Sequence, residues 1–237
     1  MFAGPNGSGK STIKSLLKPE LLGVYINPDD IQKSIQTHGC VDLAEFGITS
    51  PQLPPDAFFD LSPLLQKSGL QFVAACLRLQ DGRIVFPGSY GGEAAYLASV
   101  TADYIRSELL ALQASFTFET VMSSETKVDL LKLAAAKGYR TYLYFIATED
   151  PSINLTRIAN RVKLGGHDVP RDKILSRYGR SLALLLPAMK AVNRAYIFDN
   201  SGDTLVWIAE GTDGTELEMR SSHVPAWFQK AVLDLLN

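Results

Sequence analysis

Gly4-Pro5-Asn6-Gly7-Ser8-Gly9-Lys10-Ser11 fits the pattern G-x-x-x-x-G-K-[ST] of a phosphate-binding loop. Gly4, Gly7 and Gly9 let the backbone turn so that its N–H groups face phosphate oxygens. Helical patterning follows at once in Thr12, Ile13, Leu16 and Leu17, and the positive end of such a helix adds to the attraction. Lys10 is placed to reach the β- and γ-phosphates, and the Ser11 hydroxyl to ligate Mg²⁺. The expected nucleotide contacts are Gly4, Pro5, Asn6, Gly7, Ser8, Gly9, Lys10, Ser11 and Thr12, with ATP or GTP and Mg²⁺ as cofactors.

A phosphate loop ordinarily leaves a buried strand of about five or six residues, but only Met1, Phe2 and Ala3 precede Gly4. The expectation is a shortened first strand, or a chain that starts further upstream, and a loop anchored less firmly. Outward from the loop, strand and helix patterns alternate, as in a mostly parallel sheet covered by helices. Strands are expected at Val24–Asn27, Phe116–Glu119, 139–148 and Ala195–Phe198, with an antiparallel pair at 205–210 and 216–220 around Asp213-Gly214. Helices are expected near 123–137, over 151–164 and 170–191 with Pro187 kinking or ending the last, and over 224–237. The fold class is α/β: a P-loop NTPase three-layer sandwich, like adenylate kinase, with a helical lid at 151–191. The chain, 1–237, is read as one kinase domain. Residues 40–92 break the rhythm with Pro51, Pro54, Pro55, Pro63 and a glycine-rich patch at 88–92. They are read as an insertion holding a helical segment near 56–79 and a turn, since a structureless loop of that length is rare.

Composition narrows the partners. A net charge of −2 supplies no basic field for nucleic acid or anionic membrane. There is no apolar run near the roughly 18 residues a membrane helix needs, and the phosphate loop occupies the place of a signal peptide. Cys40 and Cys76 match no metal spacing and suit the reducing cytoplasm.

Ligands of such sheets gather at the C-terminal ends of the strands, where three acidic groups stand: Asp29 with Asp30, Glu119 and Asp199. One of Asp29 and Asp30 can accept the proton of an attacking hydroxyl, Asp29 being favoured, while the other caps a helix starting at Ile31. Glu119, followed by Thr120, can hold substrate hydroxyls or reach Mg²⁺ through water, or serve only as an acid at a helix start. Arg157, Arg161, Lys163, Arg171, Lys173 and Arg177 surround 164–170. Arg157 and Arg161 share a helix face, and two helices joined at Gly165-Gly166 suit a lid that brings positive charge over the transferred phosphoryl group. His167 reads as a lid or loop histidine rather than a metal ligand.

These residues resemble zeta-toxin-like small-molecule kinases. The resemblance runs through Gly4–Thr12, Asn27-Pro-Asp-Asp-Ile31, Ser115-Phe-Thr-Phe-Glu-Thr-Val121, Thr148-Glu-Asp-Pro151, Arg157 with Arg161, Gly165-Gly-His-Asp-Val-Pro170, Arg177-Tyr178 and Phe198-Asp-Asn-Ser201. It covers nearly the whole chain outside 40–92. It implies transfer of phosphate from a nucleotide to a small-molecule hydroxyl, in zeta toxins the 3′-hydroxyl of the amino sugar of UDP-N-acetylglucosamine, and a small helical antitoxin as a partner of some members. It implies Lys10 and Ser11 as the phosphate and Mg²⁺ contacts, Asp29 as the catalytic aspartate and Glu119 as the acid near substrate, with Asp30 and Thr120 beside them. It implies Arg161 as the first transition-state arginine. The second arginine of the family falls near His167 here, so Arg171 or Arg157 would supply that charge.

Two other readings start from the same loop. In a transport-type ATPase, Leu164-Gly-Gly-His167 and Ala195–Asp199 would be the signature loop and the strand before the catalytic acid, but Asn200 stands where a glutamate is needed. The other reading is a nucleotide-binding protein that has lost catalysis.

Overall fold

The computed structural model describes residues 1–237 apart from Leu16, His167 and Asn237. In chain order its elements are β1 (Phe2–Ala3), α1 (Lys10–Lys14), β2 (Val24–Ile26), α2 (Pro28–His38), β3 (Cys40–Asp42), α3 (Pro55–Asp60), α4 (Pro63–Ser68), α5 (Phe72–Cys76), β4 (Arg78–Gln80) and β5 (Arg83–Val85). They continue with α6 (Ala94–Ala111), β6 (Phe116–Thr120), α7 (Thr126–Ala136), β7 (Tyr142–Ala147), α8 (Pro151–Lys163), α9 (Arg171–Ala183), α10 (Leu185–Met189), β8 (Arg194–Asp199), β9 (Val206–Thr212), β10 (Glu216–Met219) and α11 (Ala226–Ala231). Contacts divide the chain into two units, 1–18 with 119–237, and 19–118.

The first unit is built on strands in the order β10-β9-β8-β7-β1-β6, with Glu119 and Thr120 as its share of β6. β8, β7, β1 and β6 run parallel, and β9 and β10 close the edge antiparallel. The apolar run of β7 follows from that position, since a strand paired on both sides is buried on both faces. β1 is paired on both sides: Phe2 lies opposite Glu119 of β6 and Tyr144 of β7. Phe2 is 1% exposed and its ring sits 5.4 Å from that of Tyr144, so β1 is held at the middle of the sheet. Asp213 and Gly214, both at positive φ (47° and 69°), make the β9–β10 turn that an Asp-Gly pair favours.

Two helices differ from expectation. The helix expected over 170–191 divides at Leu184 into α9 and α10. Pro187 has no N–H and its ring collides with the carbonyl four residues back, at Ala183, which is where α9 stops. The closing helix is shorter than 224–237: α11 ends at Ala231 and a 3-10 turn follows at Leu233–Leu235.

In the second unit β2 runs parallel to Phe116–Phe118 of β6. Its helix α2 begins at Pro28, not at Ile31, and the cap is neither aspartate: the Asn27 side chain accepts the Asp29 N–H at 3.1 Å. Proline suits the first helical turn and asparagine the cap, so Asp29 and Asp30 lie inside the first turn, exposed. Residues 40–92 hold more than the helical segment and turn expected. There are three short helices, α3 to α5, and an antiparallel sheet in the order β3-β5-β4. Pro55 and Pro63 open α3 and α4. The 18-residue α6 packs against α2 and pins the proline-rich stretch. Its buried Glu108 carboxylate accepts the Gln52 and Leu53 N–H groups, and the Tyr104 hydroxyl donates to Leu53 O at 2.8 Å. Such donors satisfy a carboxylate whose burial would otherwise be costly. Among the described residues no helix is long and apolar enough to cross a membrane.

Candidate active site

The loop between Ala3 and Lys10 leaves the C-terminal end of β1 and enters α1 at Lys10. Lys10 folds back over it, its Nζ donating to Gly4 O at 2.9 Å and Pro5 O at 3.1 Å. Ser11 is the second residue of α1, with an exposed side chain. The glycines answer a steric demand as well as a conformational one. A Cβ on Gly7, at φ +76°, would stand 2.8 Å from Asn154 O, and one on Gly9, at φ +97°, would overlap the Asn200 carboxamide.

Those two asparagines are the part of the site that sequence reasoning missed. Asn154, on α8 and fully buried, donates from Nδ2 to Asn6 O at 2.6 Å, while its Oδ1 takes a short hydrogen bond from Thr148 Oγ1. Asn200, just past β8, donates from Nδ2 to Ser8 O at 2.8 Å, and its own N–H is held by Ala147 O at 2.9 Å. Nothing local marks either residue: Asn154 sits in an ordinary amphipathic helix, and Asn200 lies in the Phe198–Ser201 run without a role assigned. Asp199 proves to be a brace. Its carboxylate accepts the Ser201 N–H at 3.0 Å, the Ser201 hydroxyl at 2.8 Å and Trp227 Nε1 at 2.7 Å. Ser201 Oγ also accepts the Glu149 N–H at 2.7 Å, tying the segments after β7 and β8 together. Around the loop, Asn6 Oδ1, Ser8 Oγ and Arg157 Nη1 are buried without a hydrogen-bond partner among the described residues, the pattern left where polar groups face a ligand or water.

The basic helices pack on a small core of their own. Ile158 of α8, Ile174 of α9 and Val169 between them form a buried cluster with Leu155 beside it. Tyr178 of α9 donates its hydroxyl to Thr148 O at 2.6 Å. Burial, with Glu149, Asp150 and Asp199 nearby, pushes that phenol well above its usual range. Asp150 caps α8 by accepting the Ser152 N–H at 2.7 Å, and the bonds from Ser152 hold its carboxyl below the ordinary value. Arg157 turns toward the segment after β8, with Nη2 3.4 Å from Gly202 O. Arg161 lies in the last turn of α8, where its carbonyl accepts the Gly166 N–H at 2.9 Å, and Arg171 opens α9; both side chains are exposed. His167 lies outside the described residues.

Glu119 and Thr120 are half-buried opposite Phe2 and Ala3, beside the strand that delivers the phosphate loop. The Thr120 hydroxyl accepts the Met122 N–H at 3.0 Å. Lys10, Ser11, Glu119, Thr120 and the three arginines thus belong to the first unit, and Asp29 and Asp30 to the second. Among the described residues no cluster of three His, Cys, Asp or Glu side chains suits a metal ion. A nucleotide-bound Mg²⁺ does not need one, because it retains waters and takes phosphate oxygens with only one or two protein ligands. The Ser11 hydroxyl at the start of α1 fits that donor set.

No family model matches the chain. Over 63 residues it is 35% identical to an uncharacterized protein of Haemophilus influenzae, covering 27% of this chain and 45% of that protein. Among solved structures, a chain of the AvrRxo1-ORF1:-ORF2 complex crystallised with ATP is similar over 92% of this chain, at 19% identity and a TM-score of 0.54. The same complex with sulphate ions gives 18% identity, 93% coverage and a TM-score of 0.56. The chain shares their fold. It spans 60% of those AvrRxo1 chains and less than half of the H. influenzae protein. The mixed α/β fold implied by the zeta-toxin resemblance, with a mostly parallel sheet and a phosphate loop at its centre, is the fold observed.

Proposed function

We propose that this protein is a phosphotransferase that moves the γ-phosphoryl group of ATP to a hydroxyl of a small molecule. The observation that carries the reading is the loop of residues 4–11 at the end of a strand paired on both sides, with Lys10 closed over it. ATP as donor is further supported by its presence in the AvrRxo1 complex of the same fold.

On this reading the loop N–H groups and Lys10 hold the β- and γ-phosphates. Bound through Ser11, Mg²⁺ would neutralise charge on those oxygens. Asp29 accepts the proton of the acceptor hydroxyl as its oxygen bonds to the γ-phosphorus and ADP leaves. Arg161, with Arg171 or Arg157 as the second cation, stabilises the charge that develops on the phosphoryl oxygens. Glu119, Thr120 and Asp30 hold the acceptor. The zeta-toxin resemblance makes UDP-N-acetylglucosamine the first acceptor to test and an antitoxin protein the partner to seek. The test is an acceptor screen with γ-labelled ATP. Label should pass to a hydroxylated acceptor with the native chain and not with Asp29→Asn, which should still bind ATP. Equal transfer by Asp29→Asn would remove Asp29 from the mechanism, and hydrolysis with no acceptor labelled would favour an ATPase.

A further inference from the structure

We infer that Asn154 and Asn200 are positioning residues that set the direction of the phosphate-loop peptides; the inference rests on the nucleotide-binding reading above. A trans peptide is planar, so its C=O and the N–H of the next residue point in opposite directions. Asn154 Nδ2 holds the carbonyl of Asn6, which shares its peptide plane with the Gly7 N–H. Asn200 Nδ2 holds the carbonyl of Ser8, which shares its plane with the Gly9 N–H. Each carboxamide therefore fixes one N–H on the opposite side of the loop backbone from itself. If either plane turned over, a carbonyl oxygen would replace that donor and repel phosphate.

The Asn154 carboxamide is itself fixed, and so is the backbone that carries Asn200. Thr148 Oγ1 donates to Asn154 Oδ1, which leaves the amide Nδ2 to face Asn6 O. Asn200 is held through its backbone by Ala147 O, and the next residue, Ser201, by Asp199. The close approach of the Asn200 carboxamide to Gly9 gives a second, independent sign of fit, and at Gly7 the neighbour is the backbone of α8 at Asn154. A side chain at Gly9 would push the Asn200 carboxamide away, so Gly9 and Asn200 work as a pair, while one at Gly7 would push back the α8 backbone that carries Asn154. Asn154 also stands one turn before Arg157 on α8, so the loop is gripped by the helix that carries the lid arginines.

The test uses the whole chain and measures Mg-ATP affinity by calorimetry, ATP KM and kcat with the acceptor found in the screen, and thermal unfolding. Asn200→Ala should weaken Mg-ATP binding about tenfold or more and raise ATP KM with a smaller change in kcat, while the unfolding midpoint stays near that of the native chain. Asn200→Asp keeps the shape but loses the donor, so it should bind no better than Asn200→Ala. Asn154→Ser and Asn154→Asp repeat the comparison on the buried side. Variants that unfold at lower temperature yet bind Mg-ATP as the native chain does would overturn the inference, as would Asn200→Asp with native affinity. A native chain that bound no nucleotide would instead overturn the functional reading on which it stands.

Discussion

Lys10→Met separates two roles that one side chain plays. Lys10 Nζ donates to the Gly4 and Pro5 carbonyls at 2.9 and 3.1 Å. With nucleotide it must exchange those carbonyls for phosphate oxygens. A hydrogen bond involving a charged group contributes about 1.5–3 kcal/mol. The gain on binding is therefore a difference: two ionic contacts to phosphate, minus two contacts of the same lysine to neutral carbonyls. Taking each phosphate contact as stronger by about 1–2 kcal/mol puts the net contribution at about 2–4 kcal/mol, or about 30- to 1,000-fold in affinity. Methionine keeps the stem and removes only the charge. Calorimetric titration of Mg-ATP into Lys10→Met should show that loss, with thermal unfolding lowered by no more than a few degrees. If the variant bound Mg-ATP within about threefold of the native chain, the lysine would be a loop brace and nothing more.

The other expectations concern the remaining parts of the site and its scaffold. Arg161→Ala should lower kcat by about 10³-fold, the scale measured for arginines that meet the transferred phosphoryl group, and leave the ATP Kd nearly unchanged in the same titration. Asn27→Ala removes the cap of α2 and should cost about 1 kcal/mol in urea unfolding, whereas Asp30→Ala should leave stability almost unchanged. The buried hydroxyls of Tyr104 and Tyr178 have pKa values raised above the ordinary 10.0, by burial first and by nearby carboxylates second. The folded chain then holds those protons more tightly than the unfolded chain, so their contribution is whole below pH 10 and is lost as pH rises above it. The unfolding midpoint should fall steeply above pH 10, and Tyr178→Phe should flatten that fall while costing about 1 kcal/mol at neutral pH.

The sequence alone determined the parts whose physics is local. The run Gly4–Ser11 reads as a phosphate loop because its spacing places glycine, lysine and hydroxyl where a phosphate needs them. Alternating apolar runs were enough for β7, β8, the β9–β10 hairpin with its Asp-Gly turn, and α8. Asn-Pro-Asp-Asp announced a helix start but not its register: Asn27 and the two aspartates are all good caps, and only the chain path shows which side chain reaches back. The small β3-β5-β4 sheet stayed hidden because its strands are three residues each, too short for a period to show, and because β3 pairs with β5 about forty residues further on, although β4 and β5 are joined directly through Asp81-Gly82. The tertiary structure alone decided what surrounds the loop. Asn154 and Asn200 are separated from the carbonyls they hold by 148 and 192 residues. A carboxamide grasping a distant backbone carbonyl leaves no periodicity or spacing in sequence, because such a contact exists only once parallel strands bring the ends of β1, β7 and β8 together.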